Sequence, residues 1–144
     1  MSKLMWSLTS LIIVSMLAFP SISSGQDSIT SRELKFDFES LVDQQSVGSA
    51  YAKYGMTFDG ATVLGQGESL NYLHFPPQSG TKVIYDDADH FPYGTITVTF
   101  DPSITGAVKK VGAYVTGNRN ITMKAHDASG NLLSSVETGG ANTL

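Results

Sequence analysis

The 144-residue sequence contains no cysteine. That excludes a disulfide scaffold, a cysteine zinc site, an iron–sulfur cluster and thiol catalysis. Tryptophan occurs once, at Trp6, and charged residues make up only 15% of the chain. The 9 Lys and Arg against 13 Asp and Glu give a net charge of −4. No basic patch is available to replace phosphate counterions, so nucleic acid is excluded as a partner. There is no Gly-x-Ser-x-Gly elbow for a nucleophilic serine, and the only histidines are His74, His90 and His126. Gly65-Gln66-Gly67 lacks the Lys-Ser/Thr ending of a phosphate loop. A hydrophobic content of 41% is too high for a disordered chain, and the length suits one domain.

Long apolar runs are also lacking. Leu4 to Phe19 is 16 residues, interrupted by Ser7, Thr9, Ser10 and Ser15, whereas a membrane span needs about 20. The same segment starts with Lys3, continues into Leu11–Phe19, breaks at Pro20, and has small residues at Ser23 and Gly25. This order predicts a secretory signal peptide over 1–25, cleaved before Gln26. Without a cysteine after the apolar core, a lipid-anchored form is excluded. Removing 1–25 takes away Lys3 as the only charge, leaving 8 basic and 13 acidic residues, a net of −5. The exported chain is expected to be secreted, extracellular or on the cell surface, with no membrane span. An exported chain could form disulfides, so stability without them must come from packing or a bound ion.

The remaining sequence alternates with period two. Residues 26–33 read as a linker and 34–144 as one domain. Leu34, Phe36 and Phe38 alternate with Lys35, Asp37 and Glu39, and Ile96, Val98 and Phe100 alternate with threonines. Val111–Val115 and Ile121–His126 repeat the pattern, with weaker strands over Gly55–Phe58, Thr62–Leu64, Leu70–Phe75, Thr81–Tyr85 and Leu132–Glu137. Asp127-Ala128-Ser129-Gly130-Asn131 sits between two alternating segments and predicts a hairpin turn. Only Ser46–Tyr54 could hold a helix, of two turns at most. The fold class that follows is all-β and antiparallel, with two packed sheets. Gly139-Gly140 closes one strand and Ala141–Leu144 starts another, so the domain is expected to lack its final strands.

Candidate chemistry is sparse. Asp37 and Glu39 share a face at the end of the first expected strand, about 6.6–6.8 Å apart along straight backbone. Either they are solvated charges beside core phenylalanines, or a bend brings them together as ligands of Ca2+, which takes roughly 6–8 oxygens. Asp86-Asp87-Ala88-Asp89-His90 is the densest acidic run, but it lacks the glycine and closing glutamate of an EF-hand loop. Exposed aromatic and imidazole rings suit the apolar faces of sugars. On the expected strands these are Tyr72, His74, Tyr93, Tyr114 and His126.

Several motifs together resemble a known group. Phe36-Asp37-Phe38-Glu39 and Tyr51-Ala52-Lys53-Tyr54-Gly55-Met56-Thr57-Phe58 are similar to the opening of secreted bacterial jelly-roll domains. Pro76–Gly80, Ile96–Phe100, Val111–Gly117 and Ile121–Leu133 continue the likeness, which spans about residues 34–140. Such domains occur in exported proteins, often ones with a C-terminal PEP-CTERM sorting signal, and are similar to galactose-binding-like carbohydrate-binding modules. The resemblance implies a jelly-roll β-sandwich and a structural calcium for which Glu39 is the matching first-strand acid. The function expected is a non-catalytic binding module for extracellular glycan or a cell-surface ligand. A structural surface or matrix domain is the alternative, and a secreted hydrolase using Glu39, Asp89 or His90 is the third.

Overall fold

The computed structural model describes residues 2–7, 20–21, 33–71, 73–86, 94–117 and 120–138. The chain is all-β. Its strands are β1 (Ser2–Ser7), β2 (Pro20–Ser21), β3 (Met56–Asp59), β4 (Ala61–Gly65), β5 (Lys82–Asp86), β6 (Thr97–Phe100), β7 (Ala107–Val108), β8 (Thr122–His126) and β9 (Leu132–Glu137). Helix among the described residues is confined to a single 3-10 turn, Ala52–Tyr54, and a four-residue turn, α1 (Pro102–Thr105). Pro102 presets the first helical φ, and the Asp101 carboxylate caps the turn by accepting from Ser103 N at 2.9 Å.

The strands form a five-stranded sheet in the order β3-β6-β1-β8-β9 and two-stranded sheets β2-β7 and β4-β5. All the strand pairs are antiparallel. Alternation is visible in the burial of β3 and β6. Met56 and Phe58 are inside while Thr57 and Asp59 are outside, and Val98 and Phe100 are buried between half-buried threonines. β4 is buried at four of its five positions, because residues 44–47 cover its second edge. Gln44 N reaches Val63 O at 2.8 Å and Val47 N reaches Ala61 O at 2.9 Å.

One core joins the five-stranded sheet to β4-β5. Met56, Phe58, Val98 and Phe100 come from the first, and Ala61, Val63 and Ile84 from the second. Its aromatic centre packs edge to face, with Phe38 5.6 Å from Tyr51 and 5.8 Å from Phe58, a geometry that sets ring edges on ring faces. A smaller cluster of Leu64, Leu70 and Val83 lies beside it.

Three expected strands differ. Phe36 and Phe38 are buried and Lys35 and Asp37 exposed as the alternation requires, but 35–38 forms no ladder. Phe38 sits at φ 62°, a conformation costly for a bulky side chain, and the chain turns there into Glu39 and Ser40. The expected bend at Glu39-Ser40 is therefore present. Of the expected strand Leu70–Phe75, residues 73–75 turn: the Asn71 carbonyl accepts from His74 N at 3.2 Å and Phe75 N at 3.0 Å. With Pro76 and Pro77 following, this carbonyl-centred turn replaces a ladder. Val111–Val115 is part-buried except for exposed Tyr114, but forms no strand. The region 46–54 yields only its 3-10 turn, ended by Gly55 at φ 80°, where a Cβ would stand 2.7 Å from Thr105 Cγ2.

Candidate functional site

A groove of about 370 Å3 lies over β8 and β9. Met123, Ala125 and His126 of β8 and Leu133, Ser134 and Val136 of β9 form one wall, and Val108–Val111 with Phe100 form the other. The register places Met123 opposite Val136 and Ala125 opposite Ser134, so the apolar floor is built from cross-strand pairs. A bulge follows, where the register shifts between Ala125 and His126. Lys109 and Lys110 bring positive charge to the far wall.

The hairpin that ends this groove is locked by its own side chains. Asp127 Oδ1 accepts from Ser129 N at 2.8 Å and Asn131 N at 2.9 Å, and Oδ2 accepts from Asn131 Nδ2 at 2.8 Å. These donors, the Asn131 side chain first, hold the Asp127 carboxyl below its ordinary value. Gly130 takes the positive φ, 86°, so the expected hairpin is formed. His126 Nδ1 lies 3.0 Å from the Gly130 carbonyl. A carbonyl can only accept, so Nδ1 carries the hydrogen, and in the neutral ring Nε2 is left as an acceptor.

Of the expected ligand residues, His126 lines this groove and Tyr114 and His74 do not. Tyr114 is 46% exposed on the 109–117 segment. His74 is exposed beside Phe75, the two rings 6.3 Å apart. Tyr72 and Tyr93 lie outside the described residues, as do Asp87, Asp89 and His90 of the acidic run. Phe100, Met123 and Val136 were legible only as core positions. Nothing in their spacing marks them as groove walls, because the groove exists where 108–111 comes beside β8 and β9.

The Asp37 and Glu39 carboxylates each accept from amide groups. Asp37 Oδ1 accepts from Glu39 N at 3.2 Å. Glu39 Oε1 accepts from Thr81 N at 2.8 Å and Lys82 N at 2.9 Å, and Oε2 accepts from Thr81 Oγ1 at 2.8 Å. Lys82 Nζ donates to the Leu41 carbonyl in the same place. Both Glu39 oxygens thus accept from amide or hydroxyl donors, and this set does not fit a Ca2+ cage. Among the described residues no three His, Cys, Asp or Glu are grouped to hold a metal ion.

Asp43 closes the smaller cluster. Its Oδ1 accepts from Ser69 Oγ and from Gly65 N, the latter at 2.6 Å, and the Ser69 hydroxyl above all holds the carboxyl below its ordinary value. No helix among the described residues is long and apolar enough to cross a membrane. No protein-family model matches this chain, and neither the curated proteins nor the solved structures contain a match.

Proposed function

We propose that the chain is an exported, non-catalytic β-sandwich of jelly-roll type whose groove over β8 and β9 binds extracellular glycan. The observation that carries the reading is the composition of that groove. Met123, Ala125 and Val136 offer an apolar floor, and His126, Lys109 and Ser134 offer polar groups at its rim. A sugar presents the matching surfaces, an apolar C–H face and a ring of hydroxyls. The volume of about 370 Å3 is at the small end for a ligand pocket and suits one or two sugar rings. With Nδ1 held by Gly130, His126 Nε2 is free to accept from a hydroxyl.

The test is a glycan array probed with the full chain. Binding to at least one oligosaccharide class, reduced by His126→Ala, supports the reading, and a blank array refutes it.

One observation favours a structural surface domain instead. β9 is exposed along its whole length, with Leu132, Leu133 and Val136 each more than half exposed. Such an edge suits a protein neighbour better than a sugar. A blank array with concentration-dependent self-association would select this second reading.

A further inference from the structure

The groove over β8 and β9 collects positive charge in a chain that is otherwise acidic. The exported chain has 8 basic and 13 acidic residues, and Lys109-Lys110 is the sequence's single pair of adjacent basic residues. Both lysines line the groove, whereas no Asp or Glu does among the described residues. Their neighbours hold them there. Val108 and Val111 are half-buried against the main core, which fixes the backbone between them and leaves Lys109 and Lys110 exposed at the rim. Lys53 stacks on the Tyr54 ring at 4.9 Å and Lys82 donates to the Leu41 carbonyl. Lys109, by contrast, has no hydrogen bond or ion pair among the described residues.

The facing wall adds a third polar group. Met123 and Ala125 share a face of β8, and unbroken alternation would put His126 on the other. The register shift between Ala125 and His126 breaks the alternation, and His126 lines the groove beside them. Asp127, the next residue, turns both carboxylate oxygens to Ser129 and Asn131 and is absent from the lining.

A neutral hydroxyl can accept from a lysine ammonium, but an acid group adds the attraction of opposite charges, and excluding water along the groove strengthens it. Resting on the glycan reading, we propose that the groove selects anionic sugars. The ring face lies on Met123, Ala125 and Val136, and the acid group sits against Lys109 and Lys110. A lysine is a point charge without arginine's planar fork, so carboxylate and sulfate both meet its requirement. The net charge of the exported chain repels an anion at long range, so the preference is local and screened by salt.

The test is a glycan array probed with the full chain and carrying short neutral, uronate-bearing and sulfated oligosaccharides in matched sets. Titration of the bound sequences then gives the affinities. Acidic members are expected to bind about fivefold tighter than their neutral counterparts, the worth of one exposed charge pair. The ratio should fall toward one in molar salt. Lys109→Gln combined with Lys110→Gln should bring it below about twofold. Lys124→Gln, exposed on β8 but outside the lining, should leave it unchanged. Preference for one acid alone supports the proposal and names its source. Neutral and acidic sugars bound equally, or neutral sugars alone, overturn the proposal and leave the glycan reading standing. An acidic preference that survives the double variant also overturns it, since the selecting charge then lies elsewhere. A blank array removes the glycan reading, and this proposal with it.

Discussion

Glu39 holds Thr81 by two hydrogen bonds, to its backbone nitrogen and to its hydroxyl, each 2.8 Å long and spanning 42 residues of sequence. A third bond runs from the same carboxylate to Lys82 N at 2.9 Å, so one side chain fixes the entry to β5. Charge-assisted bonds at a partly solvated site suggest a cost of about 1–2 kcal/mol for Glu39→Ala. Glu39→Gln, which keeps one acceptor oxygen, should cost about half as much. Urea denaturation of both variants measures the difference.

The same saturation bears on calcium. Because amide and hydroxyl donors already occupy both Glu39 oxygens, chelator should leave the melting temperature unchanged. A fall of several degrees in EDTA, restored by Ca2+, would show an ion that binds the native state.

Gly80 has φ 64°, and a Cβ there would run into the Glu39 carboxylate. Gly80→Ala therefore combines a strained backbone with a displaced clamp, and should cost at least as much as Glu39→Ala. Pairing it with Glu39→Ala should recover part of the loss, since the clash is gone while the strain persists. Additive costs in the double variant would contradict this.

Asp43, Asp101 and Asp127 all have carboxyls held below the ordinary aspartate value of 3.8 by local donors: the Ser69 hydroxyl, the Ser103 hydroxyl and the Asn131 side chain, respectively. Each carboxylate binds a proton more readily when unfolded than when folded. Their stabilisation is therefore complete above about pH 5 and is lost as the pH falls through and below 4. A midpoint of urea unfolding that is level from pH 5 to 7 and drops below pH 4 is expected. Asp127→Asn should weaken the drop.

The sequence made visible those elements whose cause is local. β6 and β8 alternate cleanly, and the Asp127–Asn131 hairpin carries its turn chemistry within five residues. What escaped depends on distant partners. Phe36 and Phe38 show the burial alternation of a strand, but the left-handed Phe38 denies them a ladder, and its φ is held by rings from Tyr51 and Phe58. Leu70–Phe75 alternates too, yet the Asn71 carbonyl gathers the His74 and Phe75 amides into a turn. Of the candidate site, only His126 was recognisable in advance. Its groove depends on residues 108–111 lying beside two strands more than ten residues further on, and no spacing within the sequence encodes that approach.

The most direct test of the binding account is the set of backbone amide resonances of the full chain, followed as an array-selected oligosaccharide is added. The account predicts shifts at Met123–His126, Leu133–Val136 and Val108–Val111, with His126→Ala weakening the affinity about fivefold, the worth of one net hydrogen bond of about 1 kcal/mol. Shifts centred elsewhere, such as on Glu39 and Thr81, or no shifts at millimolar sugar, would contradict it.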